Sequence, residues 1–210
     1  LGGGDFSERI TERGEIYDAI RDAGITGFAI LAGDRHAFWA GLPSKSLPPK
    51  PFEPVGVEFV TGSISSPGLI ESAEHRLKKD VPLRGMYLAD RPGAAKPEPT
   101  INMMVRHGVR SALEYAKSGD IEKARALSNP DLSPHLSFVD LGAQGYSTVR
   151  VTPDMLETEF VCVQRPIERS TSPDGGPLAY RVLHRARLWK HGERPTLVQH
   201  VLEGAPKLSM

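Results

Sequence analysis

The hydrophobic positions at the start of the chain first follow a helical period and then form a short continuous run. Apolar residues recur at helical spacing over residues 7–23, and Gly24 supplies a stop signal. The run at 28–32 is short, apolar and bracketed by glycines, which predicts a fully buried strand. We therefore expect a helix, a strand and then a polar loop at the strand's carboxyl end, where layered α/β proteins usually bind ligands.

The middle of the chain predicts one more strand and then mainly helices. Residues 55–61 form a second apolar run, and Ser66 followed by Pro67 suits a helix N-cap and its first position. The clearest helical period spans residues 100–117, and Asp120 is expected to cap a shorter helix after it. This part of the chain therefore predicts a helical segment between two regions of strands.

From residue 135 onward the pattern changes to strands separated by turn residues. Cys162 alternates with core positions and is expected to be a buried thiol, whereas Arg181, Arg185 and Arg187 share one face that is solvated or paired with carboxylates. A polar loop is predicted at 169–177. The predicted strands are 135–141, 146–151, 155–163, 179–189 and 196–202. An antiparallel meander after an α/β opening fits a sandwich of sheets flanked by helices.

Composition excludes several classes of protein. The formal net charge of the 210 residues is zero, which argues against a nucleic-acid partner found through a basic surface. No run reaches the ~20 apolar residues that span a bilayer. The first residues lack the basic start and apolar stretch of a signal peptide, and the first residue is not Met. We expect a processed or truncated product of a longer precursor.

The segment Gly33-Asp34-Arg35-His36 carries the candidate chemistry. Asp34 and His36 are two residues apart on a loop that leaves a strand, and Gly33 is expected to permit the turn. A carboxylate suits a hard cation such as calcium, whereas imidazole suits iron or zinc. On spacing alone, a solvated aspartate and a hydrogen-bonded histidine are the favoured interpretation.

The wider sequence around this segment resembles the alkaline phosphatase D (PhoD-like) metallophosphoesterases. Residues Gly33-Asp34-Arg35-His36-Ala37-Phe38-Trp39 are similar to that family's final metal motif. The resemblance continues in the family's order at Glu58-Phe59-Val60-Thr61-Gly62-Ser63-Ile64-Ser65-Ser66-Pro67-Gly68, Pro134-His135-Leu136-Ser137-Phe138-Val139-Asp140, Gly145-Tyr146 and Val151-Thr152-Pro153. The blocks together indicate the family more strongly than the first motif does.

The resemblance implies a fold and an activity. Residues 1–210 would form the C-terminal half of a four-layer α/β/β/α sandwich, with a helical insertion at about 68–130 and an antiparallel segment at about 135–202. The family, a branch of the calcineurin-like and purple acid phosphatase superfamily, hydrolyses phosphomonoesters and phosphodiesters. Its members use an iron and calcium centre and are usually exported, which implies a periplasmic or secreted location.

The resemblance also assigns roles to two residues. His36 would bind the first metal, iron, and Asp34 the second, calcium, although these side chains would also accept zinc or manganese. Both would be metal ligands and not acid–base catalysts, and Arg35 receives no role. The family's other ligand motifs are absent from residues 1–32. We therefore expect this chain alone to be inactive. Its expected partners are a phosphate-ester substrate and the N-terminal portion of the same enzyme, as an upstream segment or as a separate chain.

One alternative stays open, and other polar residues receive structural roles. The chain could instead be a non-catalytic β-rich binding or structural module that keeps the fold without the chemistry. His135 is expected to tie a loop to the backbone, and His107 to have a surface or a helix-packing role. The serines at 63, 65 and 66 are expected to cap and to make loop hydrogen bonds. His184 receives no function.

Overall fold

A computed structural model describes residues 6–94, 96–163 and 177–210 of the chain. Its helices are α1 (Phe6–Asp22), α2 (Leu69–Arg76), α3 (Thr100–His107), α4 (Val109–Ser118) and α5 (Ile121–Arg125), with a 3-10 turn at Arg84–Met86. Its strands are β1 (Ala29–Ala32), β2 (Phe38–Gly41), β3 (Val57–Val60), β4 (Leu136–Asp140), β5 (Gln144–Val151), β6 (Met155–Val163), β7 (Leu178–Arg187) and β8 (Val198–Gly204). The loop predicted at 169–177 lies outside the described residues, apart from Pro177.

The first sheet has the strand order β1-β3-β2-β4. β1 and β3 run parallel, and β2 is antiparallel to both β3 and β4. β2 was not predicted, because its four residues are too few to show an alternation of their own. Phe38 and Ala40 of β2 are nevertheless fully buried, and they place this strand at the centre of the sheet.

The second sheet is antiparallel throughout, in the order β5-β6-β7-β8, as predicted for these strands. The prediction that the strand at 135–141 opens this meander is wrong, because β4 pairs with β2 in the first sheet. The outer face of the second sheet carries cross-strand ion pairs. The Nε of Arg181 donates to Glu159 at 2.6 Å, and the Nε of Arg185 donates to Glu157 at 2.7 Å. The prediction of a carboxylate-paired arginine face on β7 is confirmed for these two residues.

The two sheets pack face to face, and helices cover the outer face of the first sheet. Ile70 of α2 packs there against Val139 and Leu141, with Ile101 and Val105 of α3 beside them. Both inner faces contribute to the core of the sandwich, formed by Phe38, Ala40, Val57, Phe59, Phe138, Phe160, Cys162, Tyr180, Val182 and Ala186. The fold is therefore mixed α/β as predicted, while a complete four-layer sandwich stays a prediction.

The prediction that β1 is fully buried is wrong. β1 is an edge strand of the first sheet, and its last two residues are exposed, with Leu31 at 56%. Ala29 and Leu31 line an apolar groove of about 210 Å³ together with Leu156 of β6 and Leu188, which directly follows β7. The interior of the sandwich is thus open to solvent along β1. The sequence run is apolar because it faces this groove, not because both of its faces are covered.

Two helix boundaries also differ from prediction. The period at 100–117 is divided into α3 and α4 by Gly108, whose φ of 100° lies outside helical backbone. α2 is capped by Gly68 and not by Ser66. The Asp120 cap is confirmed, because its carboxylate accepts hydrogen bonds from the backbone N–H groups of Glu122 and Lys123.

A fully buried histidine lies within the aromatic core between the sheets. The ring of His184 on β7 is 4.6 Å from that of Phe160, 5.6 Å from Phe138 and 5.8 Å from Phe59, measured between centroids. Neither of its ring nitrogens has a hydrogen-bond partner among the described residues, and the same holds for the hydroxyl of the paired Thr158. His184 therefore acts as an aromatic core residue that carries two unsatisfied polar atoms.

Replacing His184 by Leu should stabilise the protein. Removing buried, unpartnered polar atoms and keeping a similar volume should raise the free energy of unfolding by about 1–2 kcal/mol. Burial also lowers the pKa of His184 from 6.5 to about 3. Below pH 6.5 the unfolded chain therefore takes up a proton that the folded chain does not, so stability falls as the pH falls from 6.5 towards 3. Urea unfolding across this range should show a shallower pH dependence for His184→Leu. Identical pH profiles would contradict the assignment.

A buried carboxylate network fixes the helical layer onto the first sheet. Oδ1 of Asp140 accepts hydrogen bonds from Nδ2 of Asn102 (3.3 Å) and from the backbone N–H groups of Gly142 and Ala143 (3.0 Å each). Its Oδ2 accepts from the hydroxyls of Tyr180 (2.7 Å) and Ser209 (3.2 Å). Five donors from α3, β7 and two loop segments thus meet at one side chain at the end of β4.

The thiol next to this network is structural. Cys162 is fully buried, as predicted, and burial raises its pKa well above the ordinary range of a thiol. Burial and the neighbouring Asp140 raise the pKa of Tyr180 in the same way. Cys162 is therefore not a reactive nucleophile, because the thiolate is the reactive form.

Candidate metal site

The loop after β1 carries unusual backbone geometry at both candidate ligands. Asp34 has φ of 69° and His36 has φ of 51°, which are left-handed conformations that few residues adopt. The N–H of Arg35 donates to the carbonyl of Gly33 at 2.9 Å, which makes the turn tight. Such backbone strain costs about 1–3 kcal/mol per residue and is concentrated at functional sites.

The expectation that Gly33 permits this turn is wrong. Its φ is not positive, and a Cβ placed on it would have no neighbour within 4 Å. The strain is carried by Asp34 and His36 instead, and aspartate and histidine are among the non-glycine residues that tolerate left-handed backbone best.

The imidazole of His36 is held in a defined orientation. Its Nδ1 lies 2.8 Å from the carbonyl oxygen of Pro67, in the loop that follows β3. β1 and β3 are parallel neighbours, so their carboxyl ends place these two loops side by side. Because a carbonyl only accepts, Nδ1 must carry a proton, and in the neutral imidazole Nε2 then keeps its lone pair. Metal-binding histidines are oriented by the same kind of bond from their other nitrogen.

The loop that supplies Pro67 is shaped by serine hydrogen bonds. The hydroxyl oxygen of Ser63 accepts from the backbone N–H groups of Ser65 (3.2 Å) and Ser66 (2.6 Å). These contacts agree with the loop role expected for the serines. The Pro67 carbonyl itself could not be assigned from sequence, because a backbone acceptor has no residue-type signature.

Asp34 is exposed, and its carboxylate makes no hydrogen bond or ion pair with the described residues. Asp34 and His36 therefore present an unpartnered carboxylate and a free imidazole nitrogen on one short loop. Within the residues that the structure describes, no group of three or more His, Cys, Asp or Glu side chains could hold a metal ion. The chain thus offers two candidate ligands and not a complete centre.

The other histidines fall into structural and unexplained groups. His107 packs as expected, with Nδ1 2.9 Å from the Ser128 hydroxyl and Nε2 3.1 Å from the carbonyl of Met210. The carbonyl of His135 accepts from the N–H of Leu42 at 2.7 Å, but its ring Nδ1 is buried without a partner among the described residues. The loop-tying role predicted for His135 therefore belongs to its backbone and not to its ring.

The fold and the loop define a class of protein: a mixed α/β protein with an Asp-x-His turn at the carboxyl end of a strand. The family model for "PhoD-like phosphatase" matches residues 7–160, which is most of the chain. The chain belongs to the PhoD-like phosphatase family.

A solved structure of PhoD is similar to this chain with a TM-score of 0.47 and 15% sequence identity. The match covers 92% of this chain and 26% of that chain, so the chain spans about a quarter of the length of its structural relative. No curated protein matches the sequence significantly. None of the described helices is long and apolar enough to cross a membrane.

Proposed function

We propose that this chain contributes two metal ligands, Asp34 and His36, to a phosphoesterase that hydrolyses phosphomonoesters or phosphodiesters. The observation that carries the proposal is the hydrogen bond from His36 Nδ1 to the Pro67 carbonyl, which leaves Nε2 available to a cation. Family membership supports the reaction class, and the strained backbone at both residues supports a functional loop.

The donor set fits the cations proposed for the site. The Asp34 carboxylate suits a hard cation such as calcium, and the His36 imidazole suits iron, zinc or manganese. When bound, such a pair of cations supplies Lewis-acid activation and neutralises charge on the phosphoryl group. The chain's own residues hold and orient these ions. In this proposal, neither Asp34 nor His36 donates a proton to the substrate or accepts one from it.

A further segment of the same protein is proposed to complete the centre. The two ligands are fewer than a catalytic cation requires. β1 pairs with β3 on one side only, its other side has no strand partner among the described residues, and the apolar groove beside Leu31 lies next to core residues. A strand supplied by the N-terminal portion of the protein would pair with β1, fill the groove and bring the other ligands to its carboxyl end. The chain alone is accordingly proposed to be inactive.

The test compares the 210-residue chain with a longer protein that includes the preceding segment. Metal content would be measured by mass spectrometry, and hydrolysis with p-nitrophenyl phosphate and bis-p-nitrophenyl phosphate as the monoester and diester. We expect bound metal and hydrolysis in the longer protein and little of either in the chain alone. Absence of both from the longer protein would sink the proposal and favour the non-catalytic module.

We also propose that the protein is located outside the cytoplasm. The PhoD-like resemblance supports an exported protein, periplasmic or secreted. Cell fractionation of the source organism with an antibody against residues 135–160 would test it, and recovery from the cytosol alone would contradict it.

A further inference from the structure

A polar cleft lies on the outer face of the first sheet, between α1 and the start of β4. It has a volume of about 260 Å³ and is lined by Arg13, Arg35, Trp39, Glu58 and His135 among others. An adjoining cavity of about 300 Å³ shares three of these residues and extends towards residues 43–47. The cleft therefore follows the strands and is large enough for a small molecule.

Two buried nitrogen atoms that line this cleft lack hydrogen-bond partners within the described part of the chain, whereas Arg13 lies over the ring of Tyr17. Nε1 of Trp39 and Nδ1 of His135 are buried and make no hydrogen bond. The Glu58 carboxylate makes no direct ion pair, although Arg13 and Arg35 are both close enough to act on its pKa. Buried polar atoms are normally satisfied, so unpartnered donors that line one cavity indicate a site for water or a ligand.

We propose that the cleft binds a small oxyanion, held by the guanidinium groups of Arg13 and Arg35 and by the indole N–H of Trp39. Arginine guanidinium groups match the planar or tetrahedral oxygens of carboxylates and phosphates. The indole nitrogen can only donate a hydrogen bond, which also favours an acceptor ligand. Arg35 lies between Asp34 and His36 in the sequence, but neither of those two residues lines the cleft, and the proposal does not depend on the proposed hydrolysis.

The charge balance of the cleft favours an anion over a cation. Two guanidinium groups oppose one carboxylate, and burial raises the pKa of Glu58, which disfavours its charged form. Burial lowers the pKa of His135, with further lowering by Arg106 and Arg13, so the imidazole is held neutral. A cation would meet two arginines, whereas an anion would meet a single carboxylate.

Tryptophan fluorescence can test the site directly, because the chain contains only two tryptophans. In a Trp189→Phe background, Trp39 is the sole reporter. The full 210-residue chain would be titrated with inorganic phosphate and, separately, with acetate, at ionic strength held constant with sodium chloride. We expect a saturable change in Trp39 emission for at least one of the two anions, and the comparison identifies a phosphate-type or a carboxylate-type site.

Substitutions of the cleft residues then test which side chains hold the anion. Arg13→Gln and Arg35→Gln should each weaken binding about tenfold or more. Glu58→Gln should strengthen it severalfold, because a negative charge that repels the anion is removed. His200→Asn, at an exposed position of β8, should leave the titration unchanged. No saturable change with either anion, or binding that Arg13→Gln leaves intact, would overturn the proposal. Circular dichroism and calorimetric titration would confirm that each variant is folded and that the fluorescence reports binding.

Discussion

Replacing His36 by Asn in the longer protein should reduce phosphate-ester hydrolysis by on the order of a hundredfold or more, since loss of even an outer partner of a metal ligand costs about 10–100-fold. Asn is chosen over Ala because it tolerates left-handed backbone, and His36 has φ of 51°. The same reasoning gives Asp34→Asn, which removes the charge and keeps the shape. Metal content should fall in both variants, as measured by mass spectrometry on protein purified in parallel.

The matched control for these variants is His200→Asn. His200 is an exposed histidine on β8, in the sheet that does not carry the loop. This variant should keep its activity within about twofold, as surface substitutions usually change little. A full metal load with near wild-type turnover in His36→Asn would show that the loop does not bind the metal. Equal loss in the control would point instead to a general effect on folding.

Replacing Asp140 by Ala should destabilise the fold by about 3–5 kcal/mol, since it breaks a buried network. Five donors lose their acceptor at once, and a buried donor left unsatisfied costs about 1–3 kcal/mol. Chemical denaturation followed by circular dichroism would measure the shift in midpoint.

Two further variants show whether the loss of stability in Asp140→Ala comes from the lost hydrogen bonds. Asp140→Asn should cost less than Asp140→Ala, because its amide oxygen can still accept from Asn102, Gly142 and Ala143. The hydroxyls of Tyr180 and Ser209 can rotate and accept hydrogen bonds from the N–H groups of the new amide. Asp131→Ala removes an exposed carboxylate and should change stability by less than about 0.5 kcal/mol. If Asp140→Ala resembles this control, the network does not hold the helical layer in place.

The parts of the fold that sequence predicts are those specified by nearby residues. The bounds of β6 are the predicted 155–163, because Glu157 and Glu159 alternate with Thr158 and Phe160 along its middle. The Asp120 cap was predicted for a similar reason, since an aspartate side chain reaches the backbone N–H groups two and three residues ahead. In both cases the deciding interactions join residues that are close in sequence.

The sequence predictions are wrong where the structure depends on residues that are distant in sequence or on a backbone angle. Apolar residues alone could not show that Leu31 faces an open groove, because its exposure depends on which strand pairs with β1. The helical period passes through Gly108 without interruption, so the break between α3 and α4 appears only in its φ.

The sequence likewise identifies only those parts of the candidate site that belong to a local motif. Asp34 and His36 were identified from a local motif and its family resemblance, and their role stays a prediction. The Pro67 carbonyl that orients His36 lies 31 residues away and was not predicted. The cleft is still harder to find from sequence, because Trp39, Glu58 and His135 come from three strand regions and meet only in the folded sheet.

The contact between Asn102 and Ser209 also has a kinetic consequence. These residues are 107 positions apart in sequence, and they meet through the Asp140 network. Closing a loop of that length costs entropy before any contact repays it, so contacts of this kind form late in folding. We expect the β5–β8 meander, whose partners are near in sequence, to form earlier, and the helical layer to settle onto the first sheet last. Substitutions in the Asp140 network should therefore accelerate unfolding more than they slow refolding.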